Sequence, residues 1–156
     1  MKEDKSLNLI NMVFPCLGMG LMICYDVCDT SCSHLQGTFL GADLKIVGIL
    51  FMTLLLTIAL PPVRRYASLI NHLRTLMLSG AMGCEILLVR FQIIHDIYCP
   101  FCLPFGLCIL VLFAANVFRM NKPLAAVSFL AGMGVFALFF KGSVMLLYSL
   151  LSILYS

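Results

Sequence analysis

Charge is what this sequence has least of. Only 11% of its 156 residues are Asp, Glu, Lys or Arg, against about a quarter in an ordinary globular domain. That shortage excludes a water-soluble domain. The chain is 62% hydrophobic with a mean hydropathy of +1.08, and a protein of this size cannot hide so much apolar surface, so the solvent must be lipid. A small-residue cleavage site is also lacking after the first apolar stretch, which carries Pro15 and several glycines. The stretch therefore reads as a retained first span and not as a removed signal peptide. No repeat of fixed period is visible, which excludes a repeat array.

Long apolar runs are what the chain does have. A helix needs about 20 mostly apolar residues to cross the hydrocarbon core. Five segments meet or approach that length: 7–24, 44–60, 73–97, 99–118 and 123–140. A further apolar tail, 142–155, is too short for a comfortable crossing. It can extend the fifth helix, lie in the interface or re-enter. The links are brief except for the first, 25–43, which is rich in Cys, Asp, Ser and Gly. Pro61 and Pro62 end the second segment, because proline cannot continue the helical hydrogen-bond ladder. The expected fold is an all-α integral membrane protein, with 1–156 forming one transmembrane domain. Small residues (Ser79, Gly80, Gly83, Gly132, Gly134) would let its helices approach closely.

The basic residues give an orientation. Lys2 and Lys5 precede the first segment, Arg64, Arg65 and Arg74 fall around the second link, and Arg119 and Lys122 lie in the fourth. With five alternating crossings, these seven of the ten basic residues share one side, which the positive-inside rule makes cytoplasmic. Asp26, Asp29, Asp43 and Asp96 fall on the other side, where Lys45 is the basic flank. That outer compartment is oxidising, and it suits thiol–disulfide chemistry.

Eight cysteines are many for this length. Cys24, Cys28 and Cys32 cluster in the first link, as "CYDVCDTSCSH". Cys99 and Cys102 form a CxxC in "YCPFCLPFG". Cys16, Cys84 and Cys108 stand alone in apolar runs and read as small packing residues. Cys24–Cys32 and Cys28–Cys32 are both spacings that can close in a flexible loop, and both remain open. The link and the CxxC fall on the same membrane face. A thiolate of one pair can then attack the disulfide of the other through a mixed disulfide, which makes two pairs a relay. Cys102 is expected in the first turn of the fourth helix, where unpaired N–H groups favour a thiolate. Pro100 suits a first-turn position, and Pro104 truncates that turn's hydrogen bonding further.

On these features the chain resembles the vitamin K epoxide reductase family, whose bacterial members do the work of DsbB-type thiol oxidases. The resemblance covers the first four helices. It rests on the "SCS" of Ser31–Ser33, on Cys24 eight residues before Cys32, on the long outer loop and on a CxxC opening the fourth helix. It implies a four-helix transmembrane bundle around a quinone, ubiquinone or menaquinone, to which this chain adds a fifth C-terminal transmembrane helix. It further implies that Cys102 meets the quinone, that Cys99 exchanges with Cys32, and that Cys24 meets the protein partner, with Cys28 an alternative to Cys24. Many bacterial relatives carry a fused thioredoxin-like domain. This chain has none, so a separate DsbA-like thioredoxin-fold partner at the periplasmic face of a bacterial inner membrane is implied. Nucleic acid is not an expected partner. Two departures stand out: Gly106 occupies the position of a quinone-binding tyrosine in the vertebrate enzymes, and the second helix lacks their asparagine.

Glu85 and Arg90 lie at depth in the third segment, where ionisable residues are costly and often functional. Five apart, they are not a same-face pair. Arg90 is a candidate for polarising a quinone oxygen; the plainer reading is a side chain that snorkels or pairs with another helix. His34 could tune Cys32 or shuttle protons, or be a solvated loop residue, and His95 and Asp96 read as solvated. Ten methionines and the thiolates would also suit a Cu(I) or heavy-metal transporter. That reading needs ligands on the cytoplasmic side, whose loops hold no cysteine. A third reading is a membrane subunit whose outer loop is merely stapled by disulfides.

Overall fold

Backbone polar groups in an apolar solvent must be satisfied within the chain, and helices do this segment by segment. In the computed structural model, which describes residues 2–27, 35–60, 67–96 and 98–144, the helices are α1 (Lys2–Val27), α2 (Leu44–Ala59), α3 (Ala67–Ile94), α4 (Cys102–Asn116) and α5 (Lys122–Phe139). One 3-10 turn, Val117–Arg119, extends α4. Ser6–Val27, Ser68–Ile94, Cys102–Arg119 and Lys122–Phe139 are long and apolar enough to cross a membrane. α2 is shorter. Its 16 residues rise about 24 Å, against a hydrocarbon core of about 30 Å. Outward-facing Leu9, Leu17, Leu69, Leu76, Leu130 and Leu138 are exposed, an apolar exterior that lipid permits and water does not.

α1 packs along α2 and α4, and α3 packs along α5 and α4. The central core joins Met22, Met52, Leu55, Leu78, Phe105, Ile109 and Leu112. Small residues set the α3–α5 approach. A Cβ added at Gly132 would come within 2.7 Å of Gly80 Cα, and one at Gly83 within 3.0 Å of the Met133 nitrogen. A Cβ at Gly134 would meet nothing within 4 Å, so that residue is not part of this contact.

Toward the other end of the bundle a polar knot ties three helices. Asn116 Nδ2 donates to Asn11 Oδ1 (2.8 Å) and to the Leu112 carbonyl (2.8 Å). Arg74 Nη1 donates to Asn116 Oδ1 at 3.4 Å. Asn11 and Asn116 are both buried. Asn116→Leu leaves Asn11 without this partner, and it is expected to lower unfolding stability in mixed micelles by about 1 kcal/mol with dithiol chemistry unchanged.

The all-α expectation is corrected by a small sheet. β1 (Leu35–Phe39), β2 (Ala42–Asp43) and β3 (Phe140–Val144) are antiparallel in the order β2-β1-β3. Phe39 pairs with Phe140 and Leu35 with Val144. Leu40 (φ 54°) and Gly41 (φ 82°) turn β1 into β2, the positive φ pair that a two-residue hairpin demands. The start of the apolar tail is thus a strand on the first link, and residues 145–156 lie outside the described part. Other boundaries also move. α1 continues through Cys24 to Val27, and α4 begins at Cys102, not at residue 99.

Candidate functional site

The site begins at the turn before α4. Cys99 precedes the helix and Cys102 is its first residue, after Phe101 at the N-cap position. Pro104 falls in the first turn, where a missing N–H leaves no bond unmade. Gln92, 1% exposed on α3, accepts the Cys99 N–H on Oε1 at 3.0 Å and so anchors the turn to the neighbouring helix. Cys102 N–H donates to Cys99 Sγ at 3.3 Å. The helix-terminal N–H is therefore aimed at Cys99, whereas the sequence assigned that advantage to Cys102.

The two sulfurs have different surroundings. Cys99 is 0% exposed and packs with Tyr25, Leu88, Cys102 and Phe136. Cys102 also lines a cavity of about 240 Å³ between the helices. Apolar side chains from all five helices form most of its wall, among them Met22, Phe51, Leu88, Phe105 and Phe136, with Phe39 from β1. Its polar groups are Tyr25, Lys45, Cys84, Glu85 and Cys102. Lys45 Nζ is paired with Asp26 at 2.7 Å, which links the end of α1 to the start of α2.

Aromatic rings cap this end. Tyr25 and Phe101 rings are 5.6 Å apart, Phe136 stacks on Phe140 at 4.6 Å and on Phe39 at 5.6 Å, and Phe91 meets Phe140 edge-on at 5.4 Å. The cap joins the end of α1, β1, the end of α3, the start of α4 and the start of β3. Both ends of the first link therefore reach the CxxC end of the bundle. Cys24 is exposed in the last turn of α1, next to Tyr25. Cys28, Cys32 and His34 lie outside the described residues. Among the described residues Cys16, Cys24, Cys84, Cys102 and Cys108 are free thiols. No group of three or more His, Cys, Asp or Glu there could hold a metal ion.

Arg90 does not line this cavity. It is exposed on a separate groove of about 520 Å³ between α3 and α4, shared with Val89, Ile93, Leu103, Gly106 and Leu110. Glu85 borders both spaces. A Cβ at Gly106 would lie 2.8 Å from Glu85 Oε2, so the room a side chain would take at Gly106 holds the glutamate carboxyl. Lys45 and Gln92 are the site residues the sequence reading left out, while Glu85 was noted at depth without an assigned role. Lys45 read as a flanking charge, and a lone glutamine in an apolar helix gives no signal. Comparison with protein-family models and with curated proteins returns no match.

Proposed function

We propose that this chain is a membrane thiol:quinone oxidoreductase, similar to the vitamin K epoxide reductase family. It reoxidises a separate periplasmic thioredoxin-fold protein of the DsbA-like kind and so supports disulfide formation. In this reading the chain crosses the bacterial inner membrane five times, with its N-terminus cytoplasmic. One observation carries the proposal: the second sulfur of a CxxC pair lines an apolar cavity at the end of the bundle where the first link begins and ends.

The lining suits a quinone. A flat apolar ring matches walls of Phe51, Leu88, Phe105 and Phe136, and Lys45 and Tyr25 are donors suited to a carbonyl oxygen. Bound there, a quinone would supply the two-electron oxidant; the protein supplies orientation and an apolar site. The partner's dithiol reduces the disulfide that Cys32 forms with Cys24 or Cys28. Cys32 then exchanges with Cys99, and Cys102 is released facing the cavity. Because Cys99 is fully buried, exchange starts with the side chains packed on it moving aside. The N–H donated by Cys102 favours negative charge on Cys99 Sγ when that sulfur leaves or attacks.

The test is an assay of purified protein with a reduced thioredoxin-fold dithiol and a soluble quinone. Expected is one disulfide formed per quinone reduced. Absence of quinone reduction with both ubiquinone and menaquinone analogues would reject the proposal. Lys45→Met is expected to raise the quinone KM about tenfold, the loss of one charge-assisted hydrogen bond of about 1.5 kcal/mol. Reduction of the Cys99–Cys102 pair by a small dithiol should be unaltered.

A further inference from the structure

Glu85 is the one acidic side chain buried among the described residues, 9% exposed, and its Oε2 has no hydrogen-bond partner among them. It borders the cavity of Cys102 on one side and the groove of Arg90 on the other. Gly106 leaves the space that its carboxyl fills. A carboxyl in lipid-like surroundings is costly to keep, and a structural role would show as a partner for its oxygens. Glu85 instead shares with Cys102 the lining of the cavity in which that sulfur reacts. We propose that Glu85 is the acid–base residue of this site, carrying a proton between Cys102 Sγ and an oxygen of a quinone-class oxidant.

The step rests on the thiol:quinone reading and balances as follows. Two S–H bonds break at Cys99 and Cys102 and one S–S bond forms. Two electrons and two protons leave for the quinone. The proton from Cys102 travels by way of the Glu85 carboxyl; the proton from Cys99 reaches the other oxygen through water. The titratable and charged groups facing the same space are Tyr25 from α1, Lys45 from α2, Cys84 from α3 and Cys102 from α4, with Arg90 on the groove side. From α5 the lining receives only Phe136.

The experiment compares full-length wild type, Glu85→Gln and Glu85→Asp. The first readout needs no quinone. Infrared difference spectra are taken while a chemical oxidant closes the Cys99–Cys102 disulfide. A carboxyl C=O band that shifts on closure in wild type and is missing in Glu85→Gln supports the proposal; identical spectra overturn it. The second readout is the pH profile of quinone reduction. Glu85→Gln is expected to slow reduction on the order of a hundredfold and to flatten the profile, with Glu85→Asp recovering part of the rate. A wild-type rate and profile in Glu85→Gln overturn the proposal. An unfolding curve in mixed micelles that matches wild type shows that the variant is folded. Should wild type itself reduce no quinone, the functional reading fails on that result, and the infrared comparison still judges Glu85.

Discussion

Cys102→Ser is expected to abolish quinone-dependent dithiol oxidation while leaving the fold intact. The substitution keeps a small side chain at the first residue of α4, and the backbone N–H that donates to Cys99 Sγ remains. It removes the CxxC sulfur that lines the cavity. A hydroxyl can neither form the disulfide nor release two electrons, so loss should be complete within detection and not a shift in KM. Thermal unfolding should stay near wild type, because serine is close in volume and the cavity offers it space. The check is quinone absorbance over time with matched unfolding curves. Turnover above the background of a Cys99→Ser, Cys102→Ser double variant would remove Cys102 from the route.

Gly132→Leu should have the largest structural effect. A Cβ there would lie 2.7 Å from Gly80 Cα, and backbone cannot rotate away as a side chain can. α5 must then lift off α3, at a cost of about 1–3 kcal/mol. The consequence reaches the site, because α5 carries Phe136, which closes one wall of the cavity and stacks in the aromatic cap. Both unfolding stability and quinone reduction should fall together. At Gly134, two residues on, an added Cβ meets nothing within 4 Å, and Gly134→Leu should leave both measurements near wild type. Equal behaviour of the two variants would show that the α3–α5 contact does not support the site.

Helices were legible from hydropathy because lipid imposes a single pattern on every crossing segment. The limit of that signal shows at α1, where "YDV" after Cys24 is too polar to read as span and yet continues the helix to Val27. The sheet was not legible. Its pairing of Leu35–Phe39 with Phe140–Val144 joins segments a hundred residues apart, and no local alternation announces it. The CxxC stood out because a two-residue spacing at a helix start is a specific chemical pattern. Its surroundings did not stand out. Glu85 and Arg90 border one groove together although their spacing places them on different faces, and only Glu85 turns toward Cys102's cavity. Lys45 looked like a flank since sequence cannot show that the start of α2 folds over the site.

The central claim is that electrons pass between the cysteines of the first link and the pair at α4, and trapping tests it most directly. In Cys102→Ser the thiol that would resolve the intermediate is absent, so an exchange product at Cys99 should accumulate in membranes. Mass spectrometry of non-reduced digests should find Cys99 joined to Cys32. Cys99 recovered only as a free thiol, with the link cysteines paired among themselves, would contradict the account.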